Sequence, residues 1–189
     1  MIKCGITGSR GNLGVSFLKI KQFKFIIFDG DISKRSDVEK WIKLNDFDII
    51  VHFAALVPTY KVNRYYDKAL KTNFYGTKFL VDSIIKYKKN ISWFFFASSS
   101  HVYPFQRKKI LEKSKTKPLS KYGKTKLLAE NYIKLKFTNK NISFCIGRIF
   151  SIFNNKNEGF FTPSLLSKIK NGPRNLILEN LNHYRDFLS

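Results

Sequence analysis

Short apolar runs alternate along this chain with segments of helical periodicity, and that alternation constrains the fold more than any other feature. A chain that passes repeatedly from strand to helix to strand lays its strands in parallel, with the crossover helices covering the sheet. Strands buried on both faces read as continuous apolar runs, which is how most of these read. Strands are expected near residues 2–7, 24–28, 48–53, 92–97, 142–148 and 175–178, and helices near 12–21, 36–44, 65–87, 120–138 and 162–170. The second helix opens on Ser36-Asp37-Val38-Glu39, the spacing of a capping box. The Lys-rich stretch 107–117 reads as a surface loop, and no internal repeat is visible. The fold class that follows is α/β, a doubly wound parallel sheet.

A length of 189 residues fits one domain, or one domain and part of another. With 43% hydrophobic and 16% aromatic residues the chain is neither disordered nor a stapled miniature. Its apolar stretches fall far short of the roughly 20 residues that cross a bilayer, so no membrane segment is expected. The opening Met1-Ile2-Lys3-Cys4-Gly5-Ile6 lacks the layout of a secretory signal, which makes the cytoplasm the expected location. Cys4 and Cys145 are too widely separated for a redox pair or a zinc site; both read as buried small hydrophobes, and no metal is expected.

The formal charge of +22 invites a nucleic-acid reading. Of the 35 basic residues 28 are Lys, spread over the whole chain as a compositional bias rather than a patch. The densest stretch, 107–126, carries nine basic residues against one acid, Glu112, and no nucleic-acid-binding signature accompanies it. Such a field suits a solvated face or a small polyanionic substrate better than DNA or RNA.

The first chemical signal is Thr7-Gly8-Ser9-Arg10-Gly11-Asn12-Leu13-Gly14, directly after the first strand and opening the first helix. Glycines in that position let the backbone turn tightly, approach a pyrophosphate and pack helix against strand, while N–H groups at the helix start face the anion. An acidic residue is then expected after the second strand to meet the adenosine ribose, and Asp29 and Asp31 follow Gly14 by 15 and 17 residues. Taken alone, Asp29-Gly30-Asp31 would also serve as an ordinary polar turn. The second signal is Tyr122-Gly123-Lys124-Thr125-Lys126 at the start of a helix, where an i, i+4 pair shares one face. A nearby ammonium favours the phenolate and is expected to bring the Tyr122 pKa down from about 10 toward the working range. The third is Ala97-Ser98-Ser99-Ser100-His101-Val102-Tyr103 at the end of the fourth strand, where a hydroxyl can bind the substrate oxygen that Tyr122 serves.

Together these residues resemble an extended short-chain dehydrogenase/reductase of the NAD-dependent epimerase/dehydratase type, which acts on nucleotide sugars. The likeness extends to Asp31-Ile32, His52-Phe53-Ala54-Ala55, Asn73-x-x-Gly76-Thr77, Pro118-x-x-x-Tyr122-x-x-x-Lys126 with Glu130, and Arg148-x-Phe150. It implies a Rossmann-like sheet, an NAD or NADP cofactor and a nucleotide-diphosphate sugar as substrate. By that resemblance Gly8, Arg10, Gly11, Asn12, Leu13 and Gly14 meet the cofactor's pyrophosphate side. Asp29, Asp31 and Ile32 meet its adenosine, and Phe53, Ala54 and Ala55 lie beside it. Ser99, four residues before Tyr103, is the catalytic hydroxyl, Tyr122 the acid/base, and Lys126 the partner of the nicotinamide ribose. His101 stands where some members carry a further acid/base group, though a plain loop histidine fits it equally well. The segment His183-Tyr184-Arg185-Asp186-Phe187 resembles one whose arginine meets the nucleotide diphosphate, which implies that Arg185 binds substrate. Cofactor choice leans to NAD, because Asp29 or Asp31 repels a 2′-phosphate, although Arg10, Lys34 or Arg35 attracts one.

The resemblance also implies a homodimer through the helices near 65–87 and 120–138. It divides the chain into a dinucleotide-binding domain, 1–154, and an incomplete start of a substrate-binding region, 155–189. Two other classes stay open: a catalytically impaired nucleotide-binding protein, and a basic nucleic-acid-binding protein on the same scaffold.

Overall fold

A computed structural model describes residues 1–57, 59–87, 89–138, 140, 142–152, 167, 169–171 and 187–188. Five strands form one sheet: β1 (Ile2–Thr7), β2 (Phe23–Ile27), β3 (Ile49–His52), β4 (Trp93–Ser99) and β5 (Ser143–Ile149). Their order across the sheet is β2-β1-β3-β4-β5, with β1 parallel to both β2 and β3, and β3 parallel to β4. Register sets Cys4 beside Ile49 and Thr7 beside His52. The connections leave β1 in one direction and return past it to β3, so the order reverses between these two strands. In open α/β sheets such a switch point, at the carboxyl ends of the strands, is where ligands bind.

The alternation of the strands sorts their side chains between two faces. On one face, Ile50, Phe94 and Phe96 join Val38, Trp41 and Ile42 of α2 (Arg35–Leu44), Leu80, Val81 and Ile84 of α5 (Gly76–Lys86), and Ala129, Ile133 and Phe137 of α6 (Lys121–Phe137) in one buried core. On the other face, Phe17 of α1 (Asn12–Phe17) packs its ring against Phe23, Phe25 and Phe53, and Phe53 in turn meets Phe95. Both faces of the sheet are thus engaged, and the apolar runs are explained.

Several expectations need correction. The first helix stops at Phe17 rather than near residue 21. The helix expected over 65–87 is broken: α3 (Thr59–Arg64), α4 (Tyr66–Leu70), a π turn over Lys71–Tyr75, then α5. The capping box does not form. Helix α2 begins at Arg35 with Lys34 before it and no side-chain cap, while Glu39 accepts from Arg35 Nε at 3.0 Å and Lys86 Nζ at 3.2 Å. Two cations outcompete the backbone for that carboxylate. Cys4 is buried and its thiol is pushed up to about 12 by desolvation, but Cys145 is exposed, not buried. Residues 104–119 contain no helix or strand, as a surface loop should.

The chain divides into two compact units, Met1–Arg148 and Ile149–Ser189. In the second, β6 (Ser151–Ile152) pairs in parallel with β7 (Phe187–Leu188). The strand expected at 175–178 lies outside the described residues, as do most of the helix expected at 162–170 and Arg185. Among the described residues no helix is long and apolar enough to cross a membrane, and no group of side chains has the makings of a metal site.

Candidate active site

Chemistry-bearing residues collect at the carboxyl ends of β1, β3 and β4. The Gly-rich turn follows β1, and two of its glycines are there because a side chain has no room. Gly8 has φ +72°, and a Cβ on it would lie 2.5 Å from the Ala54 nitrogen. A Cβ on Gly14 would lie 2.3 Å from the Gly8 carbonyl oxygen. Gly11 is different: its Cβ would meet only the Gly8 oxygen at 3.4 Å, an ordinary contact, and its carbonyl accepts from Val15 N at 2.8 Å. The turn therefore lies directly on the Phe53-Ala54-Ala55 segment that follows β3, which brings the two stretches named from the sequence into one crevice. Asn12 and Leu13 open the short α1 on its border.

The acidic candidates lie at the end of β2. Asp29 is exposed and holds Arg10 Nη2 at 2.6 Å, tying the Gly-rich turn to that strand end. Asp31 accepts from both Ser33 N at 2.9 Å and Ser33 Oγ at 2.7 Å, and those bonds hold its carboxyl below the usual range. Ile32 is buried in the core against Gly76, so it packs rather than lining an open surface.

The three serines part company for a reason the strand imposes, since neighbours on a strand point to opposite faces. Ser98 donates to Glu130 Oε1 at 2.5 Å, into a buried cluster where Arg148 Nη2 meets Glu130 Oε2 at 2.7 Å and Arg148 Nη1 meets Tyr103 Oη at 2.8 Å. The bonds to Glu130 raise the Arg148 pKa further. Ser99 points the other way. It caps the 3₁₀ turn Ser100–Val102 by accepting from His101 N at 3.2 Å, and its side chain lies near enough to the Tyr122 phenol to favour the charged form. His101 sets its ring edge against Tyr122, with centroids 5.6 Å apart, and its Nδ1 lies 3.3 Å from Ser120 Oγ. Ser120 in turn caps α6 through Gly123 N at 3.0 Å.

One helical turn beyond Tyr122, Lys126 is only 2% exposed, its ammonium 4.3 Å from the centre of the Phe96 ring. Burial draws the Lys126 pKa down to about 7, against the opposing pull of Glu130. The expected depression of the Tyr122 pKa is overturned: desolvation pushes the phenol up to about 12, and the Ser99 hydrogen bond offsets only part of it. Desolvation disfavours the charged form of either group, and here it outweighs any help a neighbouring cation gives.

A further layer of polar side chains lies behind these residues. Thr7 Oγ1 lies 2.6 Å from His52 Nδ1, His52 Nε2 lies 2.9 Å from Thr77 Oγ1, and Asn73 Nδ2 donates to Thr125 Oγ1 at 3.1 Å. The sequence motifs contain Thr7, His52, Asn73, Thr77, Ser98 and Thr125 but give none of them a role of its own. The position of Thr125 three residues after Tyr122 on a helix was the available signal, since i, i+3 neighbours share a face.

The model of the NAD dependent epimerase/dehydratase family matches residues 7–189. A GDP-6-deoxy-D-talose 4-dehydrogenase of Aggregatibacter actinomycetemcomitans is 26% identical over 200 residues, covering all of this chain and 66% of its own length. The UDP-glucose 4-epimerase 3 of Oryza sativa subsp. japonica is 33% identical over 108 residues, covering 56% of this chain and 28% of its own length. In fold, the chain resembles the UDP-glucose 4-epimerase of Thermotoga maritima, solved with UDP-glucose, at a TM-score of 0.85 and 18% identity, over 99% of this chain and 69% of that one. The chain thus spans between about a quarter and two thirds of the curated relatives it matches.

Proposed function

This chain belongs to the NAD-dependent epimerase/dehydratase family, and from that premise we propose that it oxidises or reduces one carbon of a nucleotide-diphosphate sugar, with Ser99, Tyr122 and Lys126 handling the proton. The observation that carries the proposal is that Ser99 and Tyr122 meet at the end of β4, where the Ser99 side chain acts on the Tyr122 phenol, with Lys126 buried one turn beyond. In this reading the two hydroxyls converge on one substrate oxygen. A phenol with a pKa near 12 stays protonated at neutral pH, so Tyr122 is set to donate to a sugar ketone. Abstraction from an alcohol is the harder direction and needs a cation nearby. Lys126, with its pKa near 7, supplies that charge when protonated.

A bound nicotinamide supplies hydride acceptance or delivery at the sugar carbon. The crevice fits such a dinucleotide, since Gly8 and Gly14 let the turn close onto Ala54 and onto itself, while Gly11, whose missing side chain would meet only the Gly8 oxygen, leaves its backbone open to a pyrophosphate. Gly11, Asn12, Leu13, Phe53, Ala54 and Ala55 complete the crevice in this reading, and Lys126 meets the nicotinamide ribose. Asp29 repels a 2′-phosphate and favours NAD, while its pairing with Arg10 moderates that preference. Residues 1–154 act as the dinucleotide-binding domain, and 155–189 begin the substrate-binding region, with Arg185 meeting the diphosphate. The helices α5 and α6 pair with their copies in a two-fold dimer, where Leu128 and Leu135, both exposed, add apolar contact. No nucleic acid enters this reading.

Thermal unfolding in the presence of NAD, NADP and a panel of UDP-, GDP- and dTDP-sugars tests the assignment. A ligand at 100 times its dissociation constant stabilises by about 2.7 kcal/mol. Stabilisation by a dinucleotide and then by one sugar class is expected; no response to NAD or NADP overturns it.

A further inference from the structure

Thr7, His52, Asn73, Thr77 and Thr125 are all fully buried, and none of them belongs to the proton-handling set. Counting protons fixes the direction of every hydrogen bond they share. Thr77 Oγ1 donates to the Asn73 carbonyl at 2.8 Å, which uses its one proton. Toward His52 Nε2, 2.9 Å away, Thr77 therefore accepts, and Nε2 carries the hydrogen. In a neutral ring Nδ1 then accepts, so Thr7 donates to it at 2.6 Å and itself accepts from Ala54 N at 3.3 Å. The opposite tautomer would leave Nε2 without a donor. Burial and the Lys126 charge hold the His52 pKa down near 3, which keeps the ring neutral.

Asn73 is equally constrained. Its Oδ1 accepts from Leu56 N at 2.6 Å, and its Nδ2 donates to Leu56 O at 3.3 Å and to Thr125 Oγ1 at 3.1 Å. Thr125 then donates to the Tyr122 carbonyl at 2.8 Å. One end of this chain lies at Thr7 and Ala54, beside the Gly-rich turn, and the other lies in the first turn of α6. The imidazole also packs against the Phe94 and Phe96 rings, with centroids 6.4 Å and 5.6 Å away. What the imidazole adds is direction.

We infer that His52 is a positioning residue: its ring, held in the Nε2–H form, is the joint that ties the cofactor side of the crevice, through Thr77 and Asn73, to the helical turn carrying Tyr122 and Lys126. The significance of that turn rests on the function proposed above, but the joint can be tested without any cofactor. Nitrogen spectra of the three ¹⁵N-labelled imidazoles in the full chain at pH 7 should show one ring with bare Nδ1 and protonated Nε2, lost in His52→Gln. Protonation of the His52 ring on Nδ1, alone or with Nε2, overturns the assignment. Amide hydrogen exchange supplies the positioning readout. His52→Leu should speed exchange at residues 122–126 by about tenfold or more while leaving α2 unchanged, as expected of local rather than global opening. His52→Gln, which keeps one donor and one acceptor, should restore protection. Thr125→Val should reproduce the local loss, and it decides the matter if His52→Leu does not fold. Equal acceleration in α2, or none in the first turn of α6, overturns the proposal. Failure of the wild-type chain to bind NADH or NADPH would instead overturn the proposed function and leave the tautomer and the exchange pattern standing.

Discussion

At the end of β1 the chain shapes its turn by leaving side chains out, whereas at the end of β4 it shapes a corner by burying polar ones. The Gly-rich turn is specified sterically: a Cβ on Gly8 or Gly14 would overlap backbone atoms that have nowhere to go. The Ser99, Tyr122 and Lys126 corner is specified electrostatically, by desolvation and by the hydrogen bonds that oppose it. The first kind of specification is all or nothing. The second is graded, and each partner in it can be altered by degrees.

Gly14→Val should break the comparison most violently. Its side chain would collide with the Gly8 carbonyl and Ser9 backbone, which cannot give way, so the loss should exceed the roughly 1–3 kcal/mol typical of overpacking. Loss of most of the folded population in a thermal scan is expected. Arg148→Met comes next, because it leaves Glu130 buried without its main partner, a loss of about 3–5 kcal/mol readable by urea denaturation. In the graded corner, Tyr122→Phe keeps the ring and removes the proton. Hydride transfer should fall by about 10²- to 10⁴-fold while dinucleotide affinity hardly changes, which stopped-flow absorbance of NADH resolves.

A subtler separation comes from pH. Folded Lys126 titrates near 7, against 10.5 for an unperturbed lysine. Between those values the unfolded chain holds a proton that the folded one has lost, so this residue makes stability rise with pH across that window and adds no slope below it. Lys126→Met should flatten that part of the rise in paired urea titrations. Smallest of all should be Gly11→Ala, at about 0.5 kcal/mol or less, since its Cβ finds only ordinary contact. A large loss there would erase the distinction between Gly11 and its two neighbours.

What the sequence disclosed depended on whether one local rule governed a position. The strands were legible because parallel, doubly covered strands are simply apolar, and Ile2–Thr7 and Trp93–Ser99 fall within two residues of their expected limits. The nearness of the Gly-rich turn to Ala54 was legible only through the family likeness, which places both beside the cofactor. Ser99 was separated from Ser98 by family likeness, although strand alternation alone distinguishes the two faces. Competition defeated the local rules elsewhere. Glu39 fits a capping box in sequence, yet Arg35 and Lys86 claim it in space. Lys126 should lower the Tyr122 pKa by its charge, but the burial that brings the two together works against charge on either. The break at the π turn over Lys71–Tyr75 has no sequence marker of its own; its visible accompaniment is Asn73, turned inward to grip Leu56 and Thr125.

The reversal of strand order between β1 and β3 also governs when the crevice can come into being. β1 must wait for the whole excursion through α1, β2 and α2 before His52 arrives beside Thr7. That loop is closed at an entropic cost that rises by only about 0.6 kcal/mol for each doubling of its length. On a nascent chain growing at about 5–20 residues per second, the glycine-lined half is complete several seconds before Tyr122 is even synthesised. In that interval Asn73 and Thr77 are already made, but Asn73 Nδ2 has no Thr125 hydroxyl to reach. The order of synthesis thus puts the glycine-lined strand ends in place before the helix that carries Tyr122 and Lys126.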